Sequence, residues 1–302
     1  MSQHIERIFQ SEVHDGQSRR KGETYRVTDE EKTFFLKNGY LVLRGVVTEQ
    51  ELRALDDVFD TFARGKVPGM DKDFCDMSGA LDRKPEDFTL INAMLPRVYL
   101  PAFANNVFEQ RAQSIARTLL GDDMTLDYDQ FLAKKPAKSS AVFAWHQDMG
   151  YWPRRSPDTK TVTCSLALDD ADLENGCLRV IPGSQAPGLR AHRPLAQDLA
   201  QVGETKNTTR EDAHAQVLDL KPEEEILYLP VKRGDITLHN EWIVHGSGGN
   251  NSVDRWRRTY VIAFRSAQTV AHERRLGFTH SHNDKVNWDN FDQLEQGLSS
   301  NP

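Results

Sequence analysis

The sequence lacks the features that would tie the protein to a membrane or to a nucleic acid. No apolar run approaches the roughly 18 residues of a membrane-spanning helix. Excess positive charge is also missing, because 45 acidic residues outnumber 38 basic ones and leave a net charge of −7. Binding along a phosphate backbone needs clustered lysine and arginine. We therefore expect a globular protein whose partner is a small molecule, with no membrane and no nucleic acid involved.

Paired cysteines and a secretory leader are absent as well. The three cysteines, Cys75, Cys164 and Cys177, form no CxxC pair, which is typical of free thiols in a reducing compartment. Residues 1–7 lack the apolar core of a secretory signal. These features predict a cytoplasmic location, and they leave both a monomer and a homodimer open.

Helix signals dominate the first part of the chain. Two capping boxes, Thr28 with Glu31 and Thr48 with Glu51, predict helices on either side of a short strand. The segment 66–100 carries several prolines and glycines without periodicity. A long irregular segment in a compact domain is typical of a lid or a binding loop.

Asn106 is predicted to cap a third helix. After that helix, the spacing of apolar residues changes from the helical period to the alternation of β-strands. Strand-like runs follow at 126–132, 141–147, 160–168, 177–181, 215–219, 225–230, 235–239, 242–245 and 257–265. Short strands separated by glycine and proline turns indicate a closed or double-sheet β architecture such as a jelly roll. We predict a mainly β fold with flanking helices (α+β): an arm over 1–25, one jelly-roll domain over 26–270, and a peripheral C-terminal extension over 271–302.

One segment has the spacing of a metal site. His146 and Asp148 lie two positions apart, so on one strand they would point the same way. An imidazole and a carboxylate, completed by a second histidine, form the facial triad that leaves open positions on non-haem iron(II). His245 is the candidate for that histidine, because it ends an apolar run before a glycine-rich loop. His239 is the rival in the same segment and precedes a polar turn instead.

An arginine enters the apolar strand that follows the glycine-rich loop. If Arg257 faced inward, its charge would be costly to bury unless it met an anion. A guanidinium group matches a carboxylate in bidentate geometry. This region therefore predicts a small dicarboxylate held beside the metal.

These segments together resemble the phytanoyl-CoA dioxygenase family of iron(II)- and 2-oxoglutarate-dependent oxygenases. The matching pieces, which run in the family's order within roughly residues 30–265, are Trp145-His146-Gln147-Asp148, then Asn175-Gly176-Cys177-Leu178-Arg179-Val180-Ile181-Pro182-Gly183-Ser184, then His245-Gly246-Ser247-Gly248 with Asn250, Ser252 and Arg257. Each piece alone is a weak signal, but three in the right order are specific. The resemblance implies a double-stranded β-helix core, related to the cupin fold.

The resemblance also assigns roles to individual residues. It implies His146, Asp148 and His245 as the iron(II) ligands. It implies Arg257 and Ser247 as partners of the distal carboxylate of 2-oxoglutarate. A further implied position is Phe131, as a wall of the cosubstrate's pocket. The loop before the arginine is one residue longer than the family pattern, which leaves Arg258 as an alternative; Arg257 is preferred because Val261 and Ala263 share its strand face.

The implied reaction is an oxidation in which 2-oxoglutarate and O₂ are cosubstrates and succinate and CO₂ are products. Related halogenases have a small residue where this sequence has Asp148, so the carboxylate favours hydroxylation of a C–H bond. The ring-bearing residues Tyr151, Trp152 and Trp242 are candidate walls of the substrate pocket, although aromatic side chains more often pack in a core.

Simpler interpretations stay open. The remaining histidines have no metal spacing with one another and are predicted to lie in loops or at the surface: His192, His214, His272, His280 and His282. Two other functions fit the same barrel, a cupin-like metal hydrolase or isomerase and a non-catalytic small-molecule-binding β-barrel. A metal hydrolase would not need Arg257, and a binding barrel would not need iron.

Overall fold

The computed structural model describes residues 4–9, 16–78, 84–153, 155–194 and 216–286. The strands in these ranges are β1 (Glu6–Ile8), β2 (Arg20–Lys21), β3 (Thr24–Tyr25), β4 (Tyr40–Leu43), β5 (Phe74–Asp76), β6 (Leu90–Met94), β7 (Met124–Lys134), β8 (Phe143–His146), β9 (Thr161–Ala167), β10 (Leu178–Val180), β11 (Arg193–Pro194), β12 (Gln216–Val217), β13 (Ile226–Leu229), β14 (Ile236–His239), β15 (His245–Ser247) and β16 (Arg257–Ser266). The α-helices are α1 (Asp29–Asn38), α2 (Glu49–Ala63), α3 (Pro96–Tyr99), α4 (Val107–Leu120) and α5 (Ala267–Arg275). Single 3₁₀ turns cover Gly16–Ser18, Asp71–Asp73, Pro85–Asp87, Pro101–Phe103 and Asp148–Tyr151.

Two sheets face each other and form a jelly roll. The larger sheet has seven strands in the order β4-β14-β9-β16-β7-β6-β5, and the smaller has five in the order β1-β13-β10-β15-β8. Neighbouring strands are antiparallel except for β1, which pairs with β13 in parallel. The predicted mainly β fold with a jelly-roll core is confirmed.

The N-terminal helices cover the outer face of the larger sheet. Both predicted capping boxes are present, at Thr28 for α1 and at Thr48 for α2, and Asn106 caps α4. Burial of the apolar face of each helix against the sheet is what stabilises helices of this length. The largest fully buried rings of this layer are Phe35, Phe59, Phe62, Phe108, Phe131, Tyr260 and Phe264.

Successive side chains on β7 and β16 point alternately into this helix-covered core and into the space between the two sheets. On β7, Gln130 and Leu132 face the space between the sheets, whereas Phe131 packs against Phe59 and Tyr260 in the helix-covered core. The prediction that Phe131 lines a cosubstrate pocket is therefore wrong. Its two sequence neighbours take the inward positions, because successive side chains of a strand point to opposite faces.

Three segments differ from the predictions. The segment predicted as irregular, 66–100, contains β5 and β6, which extend the larger sheet beyond β7. The strand predicted at 242–245 lies instead at His245–Ser247. The extension predicted as peripheral contains most of α5 and then buried side chains such as Phe278 and His280. Residues 195–215, including His214, and 287–302 lie outside the described ranges.

In the parts of the chain that the structure describes, no helix combines the length and the apolar character that crossing a bilayer requires.

Candidate metal centre

A cavity of about 390 Å³ lies between the two sheets. The larger sheet lines it with Gln130, Leu132, Thr163, Ser165, His239, Arg257, Thr259 and Val261. The smaller sheet lines it with Phe143, Ala144, His146, Leu178, His245, Gly246 and Ser247. Met77, Met94, Tyr128 and Trp152 add apolar walls, and the segment after α5 adds His280, His282 and Val286. A mostly apolar cavity with a few convergent polar groups is the usual form of a small-molecule site.

The three predicted metal ligands, His146, Asp148 and His245, lie together at one point of this cavity. His146 ends β8 and His245 begins β15, and the two are direct partners across the antiparallel pair. Asp148 follows β8 by two residues and begins a 3₁₀ turn. One ligand atom from each of the three side chains lies within 4.8 Å of the others. The non-local pairing of β8 with β15 thus joins residues that the sequence separates by almost a hundred positions.

The hydrogen bonds of the two histidines orient them as metal ligands. The Nδ1 of His146 lies 2.7 Å from the carbonyl oxygen of Ala144, and the Nδ1 of His245 lies 3.1 Å from that of Ile243. A carbonyl oxygen only accepts, so each Nδ1 carries the hydrogen and each Nε2 carries a lone pair. In metal-bound histidines, a hydrogen bond from the ring nitrogen that does not bind the metal fixes the tautomer and the orientation of the ring.

The residues present fit a divalent cation. The Nε2 atoms of His146 and His245 lie 3.3 and 3.4 Å from the same oxygen, Oδ1 of Asp148. Two lone pairs directed at a carboxylate oxygen repel unless a cation lies between them. Two imidazoles and one carboxylate are the donor set that suits iron(II) with open positions.

The electrostatics of the three residues agree with this fit. Burial by itself would raise the pKa of Asp148, but the surrounding imidazoles of His245, His146 and His239 outweigh it and hold that pKa well below the usual range. Burial lowers the pKa of His245 well below its usual value. The low pKa of Asp148 keeps its carboxylate ionised at physiological pH, which is the state that binds metal.

The rival histidine lies beside the centre without joining it. His239 ends β14 in the larger sheet, and its Nε2 lies 3.1 Å from Oδ2 of Asp148. It is absent from the set of ligand atoms that lie within 4.8 Å of one another. Its ring centroid lies 4.3 Å from that of His245.

The two candidate arginines have opposite surroundings. Arg258 points away from the cavity, where its guanidinium binds both oxygens of Asp169 at 2.8 and 2.9 Å. Arg257 points into the cavity, is buried, and has no carboxylate within ion-pair distance among the described residues. Burial lowers the pKa of Arg257 to about 10, so the side chain is still charged at neutral pH. Of the two, only Arg257 is an unpaired cation facing a ligand site.

A second buried cation lies next to Arg257, and sequence reasoning missed it. Lys134 is the cross-strand partner of Arg257 and is completely buried. Its Nζ donates to Oγ of Ser247 at 2.6 Å and to the carbonyl oxygen of Gly248. Burial lowers the pKa of Lys134 well below its usual value, and the charge of Arg257 adds to the effect. The signal was present, because Lys134 continues the inward-facing alternation of Gln130 and Leu132.

The predicted aromatic walls divide into two groups. Tyr151 and Trp152 line the cavity, and Tyr151 accepts a hydrogen bond through its hydroxyl from the backbone of Gln216 at 2.8 Å. Trp242 does not line it and packs beside the aromatic cluster that includes Met149. The prediction that Trp242 is a pocket wall is wrong, because its side chain packs against the hydrophobic cluster that includes Met149 and Trp152.

His192, His280 and His282 lie in irregular segments, in agreement with the prediction of loop or surface positions, but all three are at least partly buried. His280 is buried, stacks on Tyr128 with ring centroids 4.2 Å apart, and lies 2.8 Å from Asp127. The Nε2 of His192 accepts a hydrogen bond from the backbone N–H of Gln147 at 2.9 Å. No local pattern marked these residues, since their partners are distant in the chain.

Comparison with known proteins places the chain in a family. Residues 35–259 match the family model described as phytanoyl-CoA dioxygenase. A probable alpha-ketoglutarate-dependent hypophosphite dioxygenase from Stutzerimonas stutzeri is 30% identical over 57% of this chain, and the match spans 56% of that protein. An L-proline trans-4-hydroxylase from Streptomyces griseoviridis is 26% identical over 82% of this chain and 90% of its own length.

A solved structure shares the fold. EvdO2 from Micromonospora carbonacea var. aurantiaca, complexed with 2-oxoglutarate, superposes with a TM-score of 0.62 at 22% identity, covering 81% of this chain and 93% of that one. The superposition supports the double-stranded β-helix core. The match to the hypophosphite enzyme covers little more than half of that relative's length.

Proposed function

The chain belongs to the phytanoyl-CoA dioxygenase family, and we propose that it is an iron(II)- and 2-oxoglutarate-dependent oxygenase that hydroxylates a C–H bond of a small molecule. The observation that carries the proposal is the arrangement at one end of the cavity. Two histidine lone pairs converge on Oδ1 of Asp148, and the unpaired guanidinium of Arg257 faces the same cavity.

In this proposal His146, Asp148 and His245 hold the iron. When bound, iron(II) and 2-oxoglutarate supply with O₂ the oxidising power for the C–H bond, and the cosubstrate leaves as succinate and CO₂. The described chain contributes no separate proton donor to this chemistry. Its residues orient the ligands and exclude water, which strengthens the electrostatic interactions within the cavity.

Arg257, Ser247 and Lys134 are proposed to bind the distal carboxylate of 2-oxoglutarate. Arg257 offers a guanidinium fork, which is the geometry that a carboxylate accepts. Because Lys134 donates to Oγ of Ser247 at 2.6 Å, the hydroxyl hydrogen of Ser247 is free to be donated to the cosubstrate. An incoming dianion would also favour the charged forms of Arg257 and Lys134, which are buried side by side.

The prime substrate is proposed to be a small molecule with an apolar part. The walls beyond the metal centre include the buried side chains of Met94, Tyr128 and Trp152. The names of two relatives support small substrates, hypophosphite in one and L-proline in the other. These apolar side chains, together with polar ones from His282 and Asp284, favour a molecule whose apolar part packs so that a C–H bond lies near the iron.

The proposal is tested by binding before turnover. Under argon, iron(II) and 2-oxoglutarate together should raise the unfolding free energy by about 2.7 kcal/mol when the cosubstrate is at 100 times its dissociation constant. Succinate release in air should then increase when a library of small metabolites contains the substrate. The matched control is His146→Ala, which should show neither the joint stabilisation nor succinate release.

The alternatives give different results in the same assay. Stabilisation by metal with no response to 2-oxoglutarate, in wild type and Arg257→Met alike, would indicate a metal hydrolase or isomerase. No response to either ligand would indicate a non-catalytic binding barrel. Each of these results contradicts the proposed oxygenase.

A further inference from the structure

Three imidazoles surround Asp148, and they do not contact it in the same way. Both proposed ligands, His146 and His245, approach Oδ1, at 3.3 and 3.4 Å. His239 approaches the other oxygen, Oδ2, at 3.1 Å. The two oxygens of one carboxylate are therefore in different surroundings, with Oδ1 facing the ligand histidines and Oδ2 facing His239 alone among them.

The tautomer of His239 is opposite to that of the ligands. His146 and His245 each have Nδ1 within hydrogen-bond distance of the carbonyl two residues earlier, which leaves the lone pair on Nε2. The Nδ1 of His239 is buried and has no hydrogen-bond partner in the described part of the chain. Since Nε2 of His239 lies at hydrogen-bond distance from a carboxylate oxygen, it carries the hydrogen and donates it. A nitrogen that donates to Asp148 is not available as a metal ligand.

The position of His239 is set independently of the metal ligands. It ends β14, where the backbone ladders place it opposite Tyr40 of β4 and Thr163 of β9. These three strands belong to the larger sheet, whereas β8 and β15, which carry the ligand histidines, belong to the smaller one. His239 therefore approaches the carboxylate from a different sheet than the two ligand histidines do.

We propose that His239 is a positioning residue for the metal centre: its Nε2–H holds Oδ2 of Asp148, so that Oδ1 alone is presented to the iron. The inference rests on the proposed function, because it needs a metal held by His146, Asp148 and His245. A carboxylate fixed in this way binds through one oxygen and leaves an additional coordination position for the cosubstrate. Partners of metal-bound carboxylates typically change metal affinity by 10- to 100-fold when removed.

The test measures binding of cobalt(II) alone to the apo protein, without turnover. Isothermal titration calorimetry and the visible absorption of bound cobalt(II) are recorded for wild type, His239→Phe, His239→Gln and His239→Asn. The amide of glutamine reaches the place of Nε2 and donates to Oδ2, whereas the shorter asparagine does not. We expect His239→Phe and His239→Asn to bind at least about tenfold more weakly with a changed spectrum, and His239→Gln to stay within about threefold of wild type.

The outcomes separate this inference from the proposed function. If His239→Phe binds cobalt(II) as tightly as wild type, or if His239→Gln is as weak as His239→Asn, the positioning role is refuted. If His146→Ala also leaves cobalt(II) affinity unchanged, the metal centre itself is refuted. Should His239→Phe fail to fold, as judged by circular dichroism, the pair of amide variants decides alone, because both place a polar group at the same buried site.

Discussion

Two groups of buried charges flank the cavity, and they differ in whether the charges are balanced. Against Tyr128 and Trp152 lies a network of mostly buried acidic and basic side chains: Arg265, Arg274, Asp127, Glu241, Glu273 and His280. At the other group, Lys134 and Arg257 lie side by side and have no carboxylate partner among the described residues. A balanced network is complete within the protein, whereas an unbalanced pair requires a ligand.

The balanced network ties the C-terminal segment to the larger sheet. Asp127 accepts from Arg274 at 2.6 Å and lies 2.8 Å from His280, while Arg265 pairs with Glu273. Burial alone would raise the pKa of Asp127, but His280 and the two arginines lower it below its usual value. Burial raises the pKa of Glu241, the further partner of Arg265, well above its usual value.

The largest expected effect comes from removing the central cation of the balanced network. Arg265→Met leaves Asp127 and Glu273 without the guanidinium that lies between them. Breaking a buried ion pair by removing one partner costs about 3 to 5 kcal/mol. Urea denaturation of the apo protein should show a loss of that size, and a loss below about 1 kcal/mol would mean that the network is not a structural element.

The same substitution in the unbalanced pair should have the opposite effect on the apo protein. Arg257→Met removes a buried cation that has no anion, so the unfolding free energy should stay the same or increase. Affinity for 2-oxoglutarate should fall by about 3 kcal/mol, or roughly 150-fold, because a buried charge pair loses one partner. Titration of the manganese(II)-loaded protein measures this affinity, and a change of less than threefold would contradict the assignment of Arg257.

A third prediction concerns Asp129, a buried carboxyl group outside both groups of charges, and its expected effect on stability is intermediate. Asp129 accepts from the hydroxyl of Tyr260 at 3.1 Å and from the backbone of Arg97 at 3.3 Å. Burial raises the pKa of Asp129 to about 7, although the positive charge of Arg97 acts to lower it. The folded state therefore holds a proton that the unfolded state releases above about pH 4, so Asp129 lowers stability as the pH rises from 4 to 7.

Asp129→Asn keeps the accepting oxygen and cannot ionise. The stability of the variant relative to wild type should increase by about 2.5 kcal/mol from pH 5 to pH 8, and the difference should be smallest at pH 4. Thermal or urea unfolding across this pH range measures the gain. A difference that is constant with pH would show that Asp129 does not titrate near neutrality in the folded protein.

The smallest effect is expected at the arginine next to the ligand site. Arg258 pairs with Asp169 where β16 begins and β9 has just ended, and its side chain is 20% exposed. Partly exposed ion pairs contribute about 1 kcal/mol or less. Arg258→Met should therefore lose about that much stability and leave 2-oxoglutarate affinity unchanged, which makes it the matched control for Arg257→Met. Loss of affinity in Arg258→Met would reverse the assignment.

Local patterns predicted the elements that depend on local interactions. The capping boxes at Thr28 and Thr48 satisfy backbone groups within their own first turn, so the sequence located α1 and α2. The strands β5 and β6 were missed because their segment also contains prolines and glycines, and because pairing with β7 supplies most of their stability. Pairing partners distant in the chain leave little trace in local periodicity.

The sequence by itself determined which side chains share a strand face and which residue types could bind a metal, since side-chain alternation and the chemistry of imidazole and carboxylate are local properties. Only the tertiary structure decided which charges are balanced. It gave Arg258 a carboxylate and Arg257 none among the described residues, brought Lys134 beside Arg257, and placed His239 at Oδ2 of Asp148. Pairing of this kind is decided by folding, because Asp169 lies 89 residues from Arg258 and Asp148 lies 91 residues from His239 in the chain.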